Sequence, residues 1–122
     1  MQTLCRVWLL AVCLSAAHWG QTSSARVTGT VTDPAGAVIA AAKITLTNRA
    51  TGIATEASSN EAGIYTASFL PPGPYEMSVE ANGFKRYTRT GLTLETGQAV
   101  VVDLRLELGN VSESVTVAAE TP

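Results

Sequence analysis

From Gly20 to its end the chain has no cysteine, no histidine and no tryptophan. Both cysteines (Cys5, Cys13), the single histidine (His18) and both tryptophans (Trp8, Trp19) stand in the first nineteen of its 122 positions. That absence excludes much reactive chemistry beyond Gly20. A Ser-His-Asp or Cys-His arrangement has no base, and a structural zinc site has none of its usual nitrogen or sulfur ligands. Charge is also scarce. Eight Lys and Arg stand against ten Asp and Glu, a net charge of −2, so neither a nucleic-acid surface nor an acidic tail is indicated. No apolar run reaches the ~20 residues of a membrane-spanning helix. The length leaves room for one domain. No catalytic residue, metal or cofactor is expected.

The one apolar run is short. Residues 7–17 (VWLLAVCLSAA) are interrupted only by Ser15 and follow a start carrying one positive charge, Arg6. This is the size of a secretory h-region. Small residues permit cleavage after Ala17 or Ala25, and a cut after Gly20 would leave Gln21 at the terminus. Residues 1–25 are therefore expected to be a signal peptide, and the protein to be exported to the periplasm or outer membrane. A cut after Gly20 or Ala25 leaves a chain without cysteine, which needs no disulfide in an oxidising compartment.

What remains is rich in the residues of pleated sheets. Residues 26–122 contain fourteen Thr and ten Val, β-branched side chains that suit a half-buried strand. Glycines recur mostly at the spacing of sandwich turns, and no segment has a helical period. Alternation predicts strands at residues 27–31, 42–47, 53–59, 64–70, 75–81, 84–90 and 99–108. Asp33-Pro34-Ala35-Gly36 and Asn60-Glu61-Ala62-Gly63 read as turns. Asn82-Gly83 reads as a hairpin turn. Tyr65, Ala67 and Phe69 are expected on one inward face, and Val100, Val102, Leu104, Leu106 and Leu108 on another. Pro71-Pro72-Gly73-Pro74 must be a loop or an edge, because proline donates no ladder bond. The fold expected is all-β: a single small Greek-key β-sandwich of about seven strands over residues 26–109, preceded by the signal peptide and followed by an extended tail at 110–122.

Residues 27–38 (VTGTVTDPAGAV) resemble the opening of the carboxypeptidase regulatory-like domain family. Gly63-Ile64-Tyr65, residues 70–75 (LPPGPY) and residues 81–84 (ANGF) resemble its central signature. The resemblance implies a transthyretin-like sandwich, an accessory domain rather than a peptidase. Ala41 departs from the pattern, because the family often has Gly there.

The tail carries a second resemblance. Glu113-Ser114-Val115-Thr116-Val117-Ala118-Ala119 is similar to the TonB box of TonB-dependent outer-membrane transporters. Such transporters begin with a signal peptide, this kind of sandwich and then the box, followed by a plug and a barrel. An extended segment of this kind can add to the sheet edge of a partner. Read alone, the seven residues also fit one more strand of the sandwich; read after the preceding domain, they fit the box. The resemblance implies an N-terminal extension without its plug and barrel, with a TonB-type energy-transducing protein as partner. Membrane association would come only through a barrel, which needs at least eight strands of about 9–11 residues.

The alternative is a carbohydrate-binding module of the cell envelope, with a glycan as partner. Parity leaves Tyr87 as the one exposed aromatic, among Lys85, Arg86 and Arg89. These four are the expected surface contact, although charge on an edge strand also serves to block aggregation. Asp33 and Asn60 carry oxygens suited to calcium, and turn-capping accounts for both more simply. Glu76, Glu80, Asp103 and Glu107 occupy outward positions, where carboxylates are usually solvated.

Overall fold

The computed structural model describes residues 24–118. The expected signal peptide therefore falls almost wholly outside the described residues, as does Ala119. The described residues form nine strands and no helix. The strands are β1 (Ala25–Thr32), β2 (Lys43–Asn48), β3 (Ala54–Ser58), β4 (Ile64–Leu70), β5 (Gly73–Glu80), β6 (Arg86–Leu94), β7 (Ala99–Val101), β8 (Leu104–Arg105) and β9 (Ser114–Ala118).

They make two sheets. One has the order β4-β1-β7, with β8 also paired to β1; the other runs β3-β2-β5-β6-β9. The hairpins β2–β3 and β5–β6 are antiparallel, whereas β7 and β8 run parallel to β1 and β9 runs parallel to β6. Alternation decides which side chains meet between the sheets. Val27, Val31, Tyr65, Ala67, Leu70, Val102, Leu104 and Leu106 come from one sheet and its connections. Ile44, Leu46, Tyr75, Met77, Val79, Leu92 and Leu94 come from the other, and together they form one buried cluster. Burial of this apolar surface is the main force holding the sheets together.

The turns follow their sequence chemistry. Asp33 accepts the Gly36 N–H at its carbonyl (3.0 Å), and its Oδ1 accepts from Ala35 and Ala37 (2.9 Å each). Asn60 repeats the arrangement with Gly63, Ala62 and Ile64. Both side chains are thus committed to turns. Buried Asn48 does the same after β2, its Oδ1 accepting from Ala50 (2.9 Å) and Thr51 (3.2 Å). Gly73 and Pro74, expected in a loop or at an edge, lie instead inside the interior strand β5; Pro74 fits because it stands just past the last residue of β2, where its carbonyl accepts the Arg49 N–H (2.8 Å) and no β2 carbonyl needs its missing donor. Ala41 takes φ 59°, the left-handed region, just before β2. That explains why glycine suits this position.

Three further expectations about the strands need correction. Phe69 faces outward and is 85% exposed, while Leu70 takes the buried place. The cause is a β-bulge: Ala25 pairs with Leu70 and Val27 with Ala67, so Arg26 stands opposite both Ser68 and Phe69. The extra residue, Phe69, has φ 59° and reverses the parity of the strand end. Second, residues 99–108 are not one strand. They break between β7 and β8, and Leu108 is exposed. Third, Tyr87 is packed partly against the core rather than exposed.

The break between β7 and β8 has a clear construction. Val102 N–H bonds Thr28 O (2.8 Å), and the Tyr65 hydroxyl donates to Val102 O (2.5 Å). The Thr30 N–H is accepted by the Asp103 carboxylate instead of a strand carbonyl (3.0 Å). Asp103 is therefore a substitute rung of the ladder as well as a solvated carboxylate. The crossing is so close that a Cβ on Gly29 would lie 1.9 Å from Val102 O.

Candidate functional site

The outermost strand of the five-stranded sheet is β9, which contains five of the seven TonB-box-like residues. Its register on β6 is Arg86–Ser114, Tyr87–Val115, Thr88–Thr116, Arg89–Val117 and Thr90–Ala118. Residues 114–118, expected in an extended tail beyond the sandwich, are instead one more strand of its larger sheet, the other reading these residues allowed. Sheet alternation turns Val115 and Val117 to the side of Tyr87 and Arg89. Only Val115 is half-buried; Ser114, Thr116, Val117 and Ala118 are exposed. The strand is held chiefly by its main chain. Its far edge carries no neighbour among the described strands, which leaves donors and acceptors open to another strand.

Glu113 anchors the start of this strand. Its carbonyl accepts the Arg86 N–H (2.8 Å), its own N–H bonds Asn110 O (2.9 Å), and its carboxylate lies 3.5 Å from Lys85 Nζ. Lys85 also faces Glu107 at 3.8 Å.

The four residues expected as a basic surface contact do not share a face. Lys85 sits between two carboxylates, and Arg86 is paired with Glu80. Tyr87 is opposite Val79 and Arg89 is opposite Met77, both core residues, so these two side chains point between the sheets. Arg89 Nε is buried there with no hydrogen-bond partner among the described residues. A second bulge, two residues of β6 (Thr90, Gly91) against Glu76, then brings Leu92 and Leu94 inward. The positive φ of 75° at Gly91 permits that kink.

Between the sheets the Tyr65 phenol is pushed to a higher pKa, first by burial, then by the Asp103 carboxylate; the Arg89 charge acts in the opposite direction. A phenol kept neutral in this way is a hydrogen-bond donor to Val102, which is a structural task. Among the described residues no group of three or more His, Cys, Asp or Glu is placed to hold a metal ion.

Sequence reasoning missed one surface feature. Phe69 borders an open groove of about 370 Å³ lined by Ser24, Arg26, Ser68 and Gln98, with Ala25, Gly97 and Ala99 as its small residues. The signal was present: Phe69 and Leu70 are adjacent and apolar before Pro71. Alternation allows only one of two neighbours to face the core.

The family model for the carboxypeptidase regulatory-like domain matches residues 26–107. The chain belongs to that family. The match begins and ends with the two-sheet core and stops short of β9. No curated protein sequence matches it. Among solved structures it is similar to the Bacillus anthracis TIE protein, at 17% identity and TM-score 0.56, covering 70% of this chain and 17% of that one. It is also similar to a putative carbohydrate binding protein from Bacteroides uniformis, at 15% identity and TM-score 0.56, covering 67% of this chain and 40% of that one. The dioxygenase domain of a dioxygenase carbohydrate-binding protein fusion from Streptomyces sp. SirexAA-E matches at 12% identity and TM-score 0.56, covering 74% of this chain and 84% of that one. At such identities the likeness is one of fold. The first two neighbours are much longer proteins than this family domain.

Proposed function

We propose that this family domain is an exported, non-enzymatic module, the N-terminal extension of a TonB-dependent outer-membrane transporter, and that residues 113–119 recruit a TonB-type partner in the periplasm. The observation that carries this reading is positional. A TonB-box-like segment starts at Glu113, shortly after the family match ends at residue 107, and its residues 114–118 form the outermost strand of the larger sheet. Two routes to the partner are open. The partner can add a strand to the free edge of β9, or β9 can leave β6 and pair with the partner alone. Shallow side-chain burial in β9 favours the second route, because release forfeits little apolar contact.

The non-enzymatic reading rests on chemistry. From Gly20 onward there is no His or Cys, and the carboxylates expected outward are solvated, paired or, at Asp103, bound to a backbone N–H. Of the three cleavage sites, those after Ala17 and Gly20 keep β1 whole. A cut after Ala25 would remove a residue that is 1% exposed and paired with Leu70.

The test is a pull-down with the periplasmic domain of a TonB-type protein. The wild-type chain should be retained. Val115→Pro, which removes a main-chain donor from the pairing strand, should abolish retention. Equal retention of both proteins would refute the box assignment.

A further inference from the structure

We propose that the groove beside Phe69 binds an acidic polysaccharide, with one uronate ring stacked on Phe69 and its carboxylate held by Arg26. This goes beyond the transporter reading and does not depend on it.

The groove is assembled from three separate pieces of chain: the start of β1 (Ser24, Ala25, Arg26), the end of β4 (Ser68, Phe69) and the turn into β7 (Gly97, Gln98, Ala99). The bulge makes the arrangement. By setting Arg26 opposite both Ser68 and Phe69, it makes the two residues neighbours on adjacent strands, both lining the groove. A strand end without the bulge would bury Phe69 as its parity demands. Instead the protein holds a large apolar side chain in water through a left-handed φ of 59°, a conformation costly for a residue with a Cβ and concentrated at binding sites.

The remaining polar groups are also positioned. Arg26 N–H donates to Gln98 O (2.9 Å), which ties the two sides of the groove together. Gln98 Oε1 accepts from the Glu95 N–H (2.9 Å), so its amide N–H groups are the part left for a ligand. Ser24 and Ser68 add hydroxyls. One exposed ring surrounded by hydroxyl, amide and guanidinium groups offers little of the contiguous apolar surface that marks a protein-binding patch. It suits a ligand with a weakly polar ring face and a hydroxylated rim. The open mouth suits a polymer rather than an enclosed small molecule. The charge of the ligand follows from the lining. Among the described residues, Arg26 is the one charged residue in its lining, no acid lines it, and Arg26 has no ion-pair partner.

The experiment is affinity electrophoresis of the purified chain in gels containing polygalacturonate or neutral dextran. Wild type should be retarded by polygalacturonate and much less by dextran. Phe69→Gly removes the ring while accepting the positive φ, so it keeps the fold, and it should weaken retardation about tenfold or more. Arg26→Gln should do the same for polygalacturonate alone. Tyr87→Ala, on the opposite sheet, should leave retardation unchanged wherever circular dichroism shows it folded. No retardation of wild type, or retardation equal in Phe69→Gly, overturns the proposal. So does sedimentation showing a dimer that Phe69→Gly abolishes, since the ring would then serve self-association.

Discussion

Replacing Gly29 with alanine should be among the most damaging single changes to this sandwich. A Cβ there would stand 1.9 Å from Val102 O, 2.6 Å from Val102 C and 3.0 Å from the Tyr65 ring. The first two atoms are backbone and cannot swing aside. The crossing must therefore open, and three hydrogen bonds depend on it: Val102 N–H to Thr28 O, Tyr65 hydroxyl to Val102 O, and Thr30 N–H to Asp103 Oδ1. Two neutral bonds at about 1 kcal/mol each and one charge-assisted bond at about 1.5–3 kcal/mol give a loss of roughly 4 kcal/mol. That is a large share of the roughly 5–15 kcal/mol that holds a typical domain folded. Gly36→Ala is the control. Gly36 has φ 87° but open space around it, so alanine there incurs only the left-handed backbone term of about 1–2 kcal/mol. Urea unfolding followed by circular dichroism should place Gly29→Ala far below Gly36→Ala. If the two variants lose similar stability, the close crossing of β1 over Val102 is wrong.

Two further outcomes follow from other sites. Ala41→Gly relieves a φ of 59° and should raise Tm by a few degrees, because the strain removed is set against a smaller gain in unfolded-chain entropy; a lower Tm would count against the left-handed assignment. The Tyr65 phenol has its pKa raised on folding from the ordinary value of 10.0. The unfolded chain therefore loses that proton first. The resulting stability is intact below about pH 10 and is lost as pH rises above it. Tyr65→Phe should be less stable at neutral pH, having lost the bond to Val102, and should show a flatter decline between pH 10 and 11 in denaturant titrations.

Much of the architecture was legible because local chemistry and tertiary fold agree. Asp33 and Asn60 signal turns that their own carboxylate and amide oxygens close. Tyr75, Met77, Val79 and Ala81 alternate and are buried. The failures have two causes, bulges and contacts between residues distant in sequence. Each bulge inserts one residue and reverses parity, and alternation has no means of placing it. The β1–β4 bulge exposes Phe69, and the bulge at Thr90 and Gly91 reconciles inward Tyr87 with inward Leu92. Residues 99–108 alternate well, yet they divide where Tyr65 and Gly29 meet Val102, a contact between residues distant in sequence. For the same reason the basic strip was legible as composition and not as a surface. The position of β9 beside β6 is a parallel, long-range pairing that seven residues do not encode by themselves.

The transporter reading is tested most directly by titrating the isotopically labelled chain with the periplasmic domain of a TonB-type protein and following each backbone amide. The account predicts saturable changes confined to residues 113–119 and to the β6 residues Arg86–Thr90 that face them, with Val115→Pro silent. Unchanged spectra, or changes elsewhere with β9 and β6 unaffected, would contradict it.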